Sequence, residues 1–271
     1  MRVAIIIPAR YGSTRLQGKP LLMLAGKTML ERVVELSRTA ITQLDADIEA
    51  QLYVATDYDG IADHARMIGA DCLMTPSGCA TGTDRVAHAI AQLNIQPDFV
   101  LNMQGDAPFT PPHFLSEMIH AYRDQPCDVI TPVTQLSWAQ LDALRTAKIS
   151  TPFSGTCAVF RMSDGRALWF SKQIIPAIRK ESAMRSTAGE NDLSPVYRHI
   201  GLYGYRTSML ATYATIPETE LEQLEGLEQL RILEHGYVMR CVPVSYHGAP
   251  SMSGIDSPED VVRAEALLGS V

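Results

Sequence analysis

The stretch Val3-Ala4-Ile5-Ile6-Ile7-Pro8-Ala9-Arg10-Tyr11-Gly12-Ser13-Thr14-Arg15-Leu16-Gln17-Gly18-Lys19-Pro20-Leu21 joins an apolar run to a basic, glycine-bearing turn. The run Val3 to Ile7 has no polar alternation. It reads as a strand buried on both faces, the kind found in parallel sheets. In an open α/β sheet, the loop leaving the carboxyl end of such a strand borders the ligand crevice. Arg10, Arg15 and Lys19 lie within ten residues of each other, among Gly12, Ser13, Thr14 and Gly18. Glycine lets backbone N–H groups approach a phosphate closely, and cations offset its charge. The turn therefore reads as a triphosphate grip, against the alternative of a solvated surface turn. It is not a Walker loop, because five residues separate Gly12 from Gly18 and Pro20 stands where Ser or Thr is needed. Nor does the chain contain G-x-G-x-x-G. Kinases and dinucleotide oxidoreductases lose support accordingly.

Composition narrows the partners. The 271 residues suit one large α/β domain, or a main domain with a smaller insert. Apolar residues at 46% allow a sizeable core, and a formal charge of −7 argues against nucleic acid as a partner. No apolar run approaches the roughly 20 residues that span a bilayer, so no membrane insertion is expected. Met1 to Pro8 is too short for a signal peptide and lacks a small-residue cleavage site. The five cysteines include no CxxC pair and are odd in number. Neither a disulfide framework nor a zinc site is expected, and a reducing cytoplasm fits best.

Strand-like and helix-like runs alternate through the first half. Thr28-Met29-Leu30-Glu31 has capping-box spacing and opens a helix. Leu52 to Thr56 reads as a strand, Ile61 to Ile68 as a helix closed by Gly69, Asp84 to Leu93 as a helix, and Phe99 to Met103 as a strand. Pro111-Pro112 introduces a further helix. Repeated units of this length predict an α/β fold with a doubly wound, mainly parallel sheet. Beyond residue 130 the pattern loosens. Val129 to Val133, Thr156 to Arg161, His199 to Arg206 and Val238 to Val244 read as strands, with Tyr203 and Tyr205 on one face. A long helix is predicted from Thr219 to about His235, with Leu224, Leu227, Leu230 and Leu233 in the core. Glu181 to Pro195 is polar and aperiodic, a candidate mobile loop or lid. Ser257-Pro258-Glu259-Asp260 is a helix start. The expected division is 1–130 with 238–271 as a nucleotide-binding core, and 131–237 as a smaller insert.

Several residues outside the basic turn have chemistry to offer. Asn102-Met103-Gln104-Gly105-Asp106 ends a buried strand, which points Asp106 toward the same crevice. A carboxylate facing a triphosphate is a natural Mg²⁺ ligand, and Asp is also a common cap. Asp256 directly precedes a helix, as a second metal ligand or as a cap. Thr81-Gly82-Thr83-Asp84-Arg85 can hydrogen-bond a base or phosphate, or cap a helix. Arg198 to Arg206, with Leu224 to Arg231, supplies cations, hydroxyls and an amide suited to an acidic, polyhydroxylated ligand.

Taken in order, eight segments resemble the 3-deoxy-manno-octulosonate (Kdo) cytidylyltransferases. They are Ile7 to Tyr11 with Ser13 to Leu16 and Gly18 to Leu21, Val54-Ala55-Thr56-Asp57, Gly82 to Arg85, Gln104-Gly105-Asp106, Phe170-Ser171 with Ile175-Pro176, Arg198 to Arg206, Leu227 to Arg231 and Gly254 to Asp260. The resemblance implies a nucleotide-diphospho-sugar transferase-like fold whose insert binds the sugar and dimerises. It implies that CTP and a 3-deoxy-2-ulosonic acid give a CMP-sugar and pyrophosphate, for bacterial surface polysaccharide. Mg²⁺ and a homodimer are implied as well. By position, Pro8, Ala9, Arg10 and Lys19 would hold the nucleotide's phosphates, while Gly82 and Thr83 would help to read cytosine. Asp106 and Asp256 would bind the metal, with Arg10, Lys19 and Asp106 carrying catalysis. Arg15, Gln104, His199, Tyr203, Glu228 and Gln229 would line the sugar site. The chain departs from the family pattern at Gln17, Ala107, Ala158 and Lys172, which opens amino-substituted Kdo as a substrate. A cytidylyltransferase for another acidic sugar or a polyol phosphate, and an inactive nucleotide-binding subunit, are the competing readings.

Overall fold

A computed structural model describes residues 1–12, 16–252 and 254–269. The chain forms two compact units. One comprises Met1–Pro126, Leu202–Thr215 and Tyr246–Val271, and the other Cys127–Gly201 and Ile216–Ser245.

The first unit opens with β1 (Arg2–Pro8) and a short hairpin, β2 (Met23–Leu24) and β3 (Lys27–Thr28). There follow α1 (Met29–Ile41), β4 (Glu49–Thr56), α2 (Asp59–Met67), β5 (Asp71–Met74), α3 (Gly82–Ile90), β6 (Phe99–Asn102) and α4 (Pro112–Asp124). In the second unit come β7 (Val129–Ser137), α5 (Trp138–Ser150), β8 (Cys157–Phe160), β9 (Ala167–Ser171), α6 (Glu181–Arg185) and β10 (Leu193–His199). The chain returns to the first unit for β11 (Tyr203–Arg206) and α7 (Thr207–Tyr213). It re-enters the second for α8 (Glu220–Glu225), α9 (Gln229–Glu234) and β12 (Met239–Val244). It closes in the first with α10 (Pro258–Leu268).

In the first unit the strand order is β5-β4-β1-β6-β11, parallel except for β11, which runs antiparallel to β6. β1 lies centrally, and Val3 to Ile7 are all buried. The continuous apolar run matches this position, since both faces of a central strand are covered. The local start signals act as read. Thr28 caps α1 by accepting from the Glu31 amide, Pro112 opens α4, and Ser257 and Asp260 form a reciprocal capping box on α10. Gly69, at φ +75°, follows α2. In the second unit β12 runs parallel to β7, and β7-β10-β8-β9 are antiparallel neighbours.

The division differs from the expected one at two places. β11 belongs with the first unit because it pairs with β6. β12 belongs with the second because it pairs with β7 along its whole length. The single strand expected over His199 to Arg206 is accordingly two, with Ile200 donating its N–H to the Pro132 carbonyl between them. The long helix expected from Thr219 is also two, because Gly226 adopts φ +62° and closes α8. Leu227 and Leu230 are buried as expected, but Leu224 is 74% exposed. Glu181 to Pro195 is not an open loop. Glu181 receives two hydrogen bonds from Arg145 and one from Arg185, and Arg185 also pairs with Asp142. These pairs hold α6 against α5, and β10 follows. Among the described residues no disulfide joins any of the five cysteines.

Several elements escaped the periodicity reading, among them β5, α5, β9, β10 and α7. Only Trp138 and Leu141 of α5 are buried, so its apolar stripe is narrow. Its start nevertheless carried a signal. Ser137 accepts from the Gln140 amide, and the Gln140 side chain accepts from the Ser137 amide. Replacing Ser137 with Ala removes that cap and should lower the unfolding free energy by about 1 kcal/mol, read as a reduced urea midpoint at unchanged slope.

Candidate active site

The carboxyl ends of β1 and β6 lie side by side, because Ile6 registers with Asn102. The chain leaving each strand enters one cleft of about 210 Å³ in the first unit, lined by Pro8, Ala9, Arg10, Lys19, Gly82 and Asp106 among others. Its walls are tightly fitted. A Cβ on Gly105 would stand 2.7 Å from the Pro8 carbonyl oxygen, so only glycine permits this approach. Ala9 donates its N–H to the Ala55 carbonyl, which continues the β1–β4 pairing into the loop.

Lys19 sits just beyond Gly18, whose backbone is left-handed at φ +67°. Its side chain is only 11% exposed. The ammonium lies 2.7 Å from Asp106 Oδ2 and 2.9 Å from Asp256 Oδ1. Three segments far apart in the chain thus meet at one cation. Asp256 is drawn there by a backbone bond from the Ile255 N–H to the Asp106 carbonyl, at 2.9 Å. Beneath it Ile255 is buried with Leu24, Met29 and Ala264. Ser257 caps α10, and the amides of Asp256 and Ser257 both donate to Asp260. The capping role at this helix is therefore filled by other side chains, and the Asp256 carboxylate faces Lys19. Gly254 lies against the same site, where an added Cβ would come within 3.0 Å of Asp106 Oδ1.

The remaining sequence candidates distribute unevenly. Arg10 is exposed at the cleft. Arg15 lies outside the described residues. Gly82 and Gln104 line the cleft, but Thr83 does not. Its side chain is buried in the first turn of α3, and its hydroxyl accepts from Asn102 Nδ2 at 3.4 Å. Thr81 and Asp84 complete a capping box, so this motif both caps the helix and edges the cleft. Tyr203 is buried in β11 of the first unit.

His199, Glu228 and Gln229 belong to the second unit. His199 Nε2 is 2.8 Å from the Thr131 hydroxyl, and its ring meets Phe170 edge-on at 5.1 Å. Burial, helped by the nearby Lys172 charge, pushes its pKa down to about 3. The imidazole is therefore neutral near pH 7 and serves as a hydrogen-bonding group rather than a cation. Glu228 and Gln229 stand where α8 gives way to α9. That corner is braced by a bidentate pair from Arg231 to the buried Glu222, at 2.6 and 2.7 Å.

One participant, quoted in a motif, has no role of its own in the sequence reading. Arg85 is 2% exposed, lines the cleft, donates to Asp57 at 2.9 Å and reaches the Thr75 hydroxyl. It ties the end of β4 to α3. The signal was present, since Asp57 and Arg85 each end a segment that matches the family.

Residues 4–241 match the family described as cytidylyltransferase. The chain is 38% identical to 3-deoxy-manno-octulosonate cytidylyltransferase of Maricaulis maris (strain MCS10), covering 100% of this chain and 98% of that one. The chain belongs to the 3-deoxy-manno-octulosonate cytidylyltransferase family. It is also 36% identical to 8-amino-3,8-dideoxy-manno-octulosonate cytidylyltransferase of Shewanella piezotolerans (strain WP3 / JCM 13877), covering 99% of each. A solved CMP:2-keto-3-deoxy-manno-octonic acid synthetase complexed with CTP superposes with a TM-score of 0.82 at 30% identity, covering 100% of this chain and 99% of that one. Membership in this family makes the chain a nucleotidyltransferase with the α/β fold expected from its sequence.

The depressed pKa of His199 has a consequence for stability. Folding favours the neutral ring, so below about pH 6.5 the unfolded chain takes up the proton first. The stability this contributes is fully present above that pH and is lost as pH falls toward about 3. His199→Gln should therefore flatten the acid-side decline in unfolding free energy, measured by urea titration across that interval.

Proposed function

We propose that this protein transfers the cytidylyl group of CTP to a 3-deoxy-2-ulosonic acid, Kdo or a Kdo variant, releasing pyrophosphate and supplying surface-polysaccharide synthesis. The observation that carries the reading is the meeting of Lys19 with Asp106 and Asp256 in a cleft that Arg10 and Gly82 also line. Its frame is a chain alike over its full length to a synthetase solved with CTP.

Arg10 and Lys19 bring positive charge to the triphosphate and to the pyrophosphate that leaves. The turn of Gly82 and Thr83 offers backbone groups to the base. The sugar's anomeric hydroxyl attacks the α-phosphorus directly. Such a reaction needs positioning and charge neutralisation more than a covalent nucleophile. Gln104, His199, Tyr203, Glu228 and Gln229 are assigned to the sugar, with Arg15 near the phosphates or the sugar acid. The neutral His199 ring would donate or accept a hydrogen bond at a hydroxyl.

The donor set suits Mg²⁺. Asp106 and Asp256 already converge on a single cation, and both present hard carboxylate oxygens. The described residues hold no cluster of three His, Cys, Asp or Glu side chains placed for a metal. Two carboxylates, with triphosphate oxygens and water completing the shell, are a common Mg²⁺ arrangement. When bound there, the ion would acidify the attacking hydroxyl and neutralise charge at the α-phosphate.

Among the described residues no helix is long and apolar enough to cross a membrane, and a cytoplasmic enzyme is the reading we adopt. We assign homodimerisation to the second unit, where Ile149, Phe153, Met162 and Leu168 are each at least 60% exposed. Large apolar side chains left this exposed are available for cover by a second copy. The choice of sugar turns on the second unit as well. Ala158 is buried where a lysine is common in the family, and Lys172 replaces an arginine, which removes a planar fork. With an 8-amino-Kdo enzyme among the relatives, amino-substituted Kdo belongs beside Kdo in any assay.

Pyrophosphate release should occur with CTP and Kdo or 8-amino-Kdo, and not with UTP or ATP. No release across a panel of ulosonic acids, with CTP bound, would instead favour an inactive nucleotide-binding subunit. Asp106→Asn and Asp256→Asn should each lower kcat by roughly a hundredfold or more, and chelation of divalent cations should abolish turnover. Wild-type turnover by Asp106→Asn in Mg²⁺ would refute the metal assignment.

A further inference from the structure

Tyr58 is an unusual residue for its position. It occupies the N-cap of α2, where Ser, Thr, Asp or Asn would accept from the first turn, and its side chain makes no such bond. Its ring instead stacks on Tyr11, with centroids 4.2 Å apart and planes at 28°. Two glycines admit this stack. A Cβ on Gly60 would stand 2.7 Å from Tyr58 Cε1, so the Tyr58 ring lies close over the opening turn of α2. A Cβ on Gly18 would stand 3.2 Å from Tyr11 Cε2, so the Tyr11 ring lies against the left-handed Gly18.

The backbone makes the same connection. The Gly18 N–H donates to the Tyr11 carbonyl at 3.0 Å, and the Leu21 N–H donates to the Gly18 carbonyl at 2.8 Å. Tyr11 and Gly18 thus close the base of the basic loop, and Lys19 follows immediately. The rigid end of this chain of contacts is α2, which packs on the sheet through the buried Ile61, Ala62 and Ala65. The Tyr58 amide is itself held by the Thr56 hydroxyl at the end of β4.

We infer that Tyr58 is a positioning residue for the triphosphate: stacked on Tyr11, it fixes the Tyr11–Gly18 closure that sets Lys19. It touches no reacting atom and acts through Tyr11. The inference rests on the assignment of Arg10 and Lys19 to the phosphates of CTP. A Tyr11–Gly18–Lys19 contact held in place before the ligand arrives loses less conformational freedom on binding, which raises affinity for the group that Lys19 contacts. The effect is confined to ligands that carry the β- and γ-phosphates.

Calorimetric binding of CTP and of CMP to the full chain tests this, using Tyr58→Ala, Tyr58→Phe and Gly60→Ala. The loss of one aromatic stack predicts a CTP Kd raised about three- to tenfold in Tyr58→Ala. The CMP Kd should stay unchanged. Tyr58→Phe keeps the ring and should restore CTP binding. Gly60→Ala, which displaces the ring without deleting it, should weaken CTP in the same direction. In turnover the change should fall on KM for CTP and leave kcat unaltered. Equal weakening of CTP and CMP, or unaltered CTP binding in Tyr58→Ala, would overturn the inference. Arg10→Ala and Lys19→Ala with undiminished CTP affinity would overturn the phosphate assignment beneath it instead.

Discussion

The ammonium of Lys19 between Asp106 and Asp256 is the constraint on which the rest of the site depends. Two carboxylates brought together at partial burial repel each other unless a cation stands between them. Here the cation is a side chain on a turn that only a left-handed residue at position 18 can make. The fold serves this meeting from three directions. β1 delivers the loop and β6 delivers Asp106. The Leu24, Met29, Ile255 and Ala264 cluster delivers the segment before α10.

Under the proposed function the same triad would let one cleft serve phosphate and metal together. One positive and two negative charges leave the cluster with a net negative charge, which suits a divalent cation. Arg10, exposed at the same cleft, would supply positive charge for the phosphates. Neither function needs a nucleophile or a perturbed base from the protein, which agrees with a reaction driven by position and charge. His199, whose pKa is pushed down by burial, lies in the second unit, and its neutrality suits recognition of hydroxyls.

What the sequence made legible was local. The buried strand at Val3 to Ile7, the caps at Thr28 and Ser257, the helix start at Pro112 and the turn at Gly69 each depend on neighbours in the chain, and each stands in the structure. The division into units was less legible because it depends on pairing partners. Nothing inside Tyr203 to Arg206 announces that it pairs with β6 rather than continuing β10. α5 was hidden by its narrow buried stripe, although the Ser137 and Gln140 box was in view. The helix expected across Gly226 failed because an apolar stripe in the sequence can be shared by two short helices. At the site, the residue types were legible, but the approach of Asp256 to Asp106 was not. It arises from a backbone bond at Ile255 and packing beneath it, which no spacing records. Thr83 shows the converse, for a residue in a recognised motif has its side chain turned into the protein.

The central claim is that triphosphate and metal share the cleft built around Lys19. A crystal structure of the protein with CTP and Mg²⁺ tests it most directly. The β- and γ-phosphates should lie against Arg10 and Lys19, with cation density bounded by Asp106 and Asp256. Triphosphate density remote from these four residues would contradict the account.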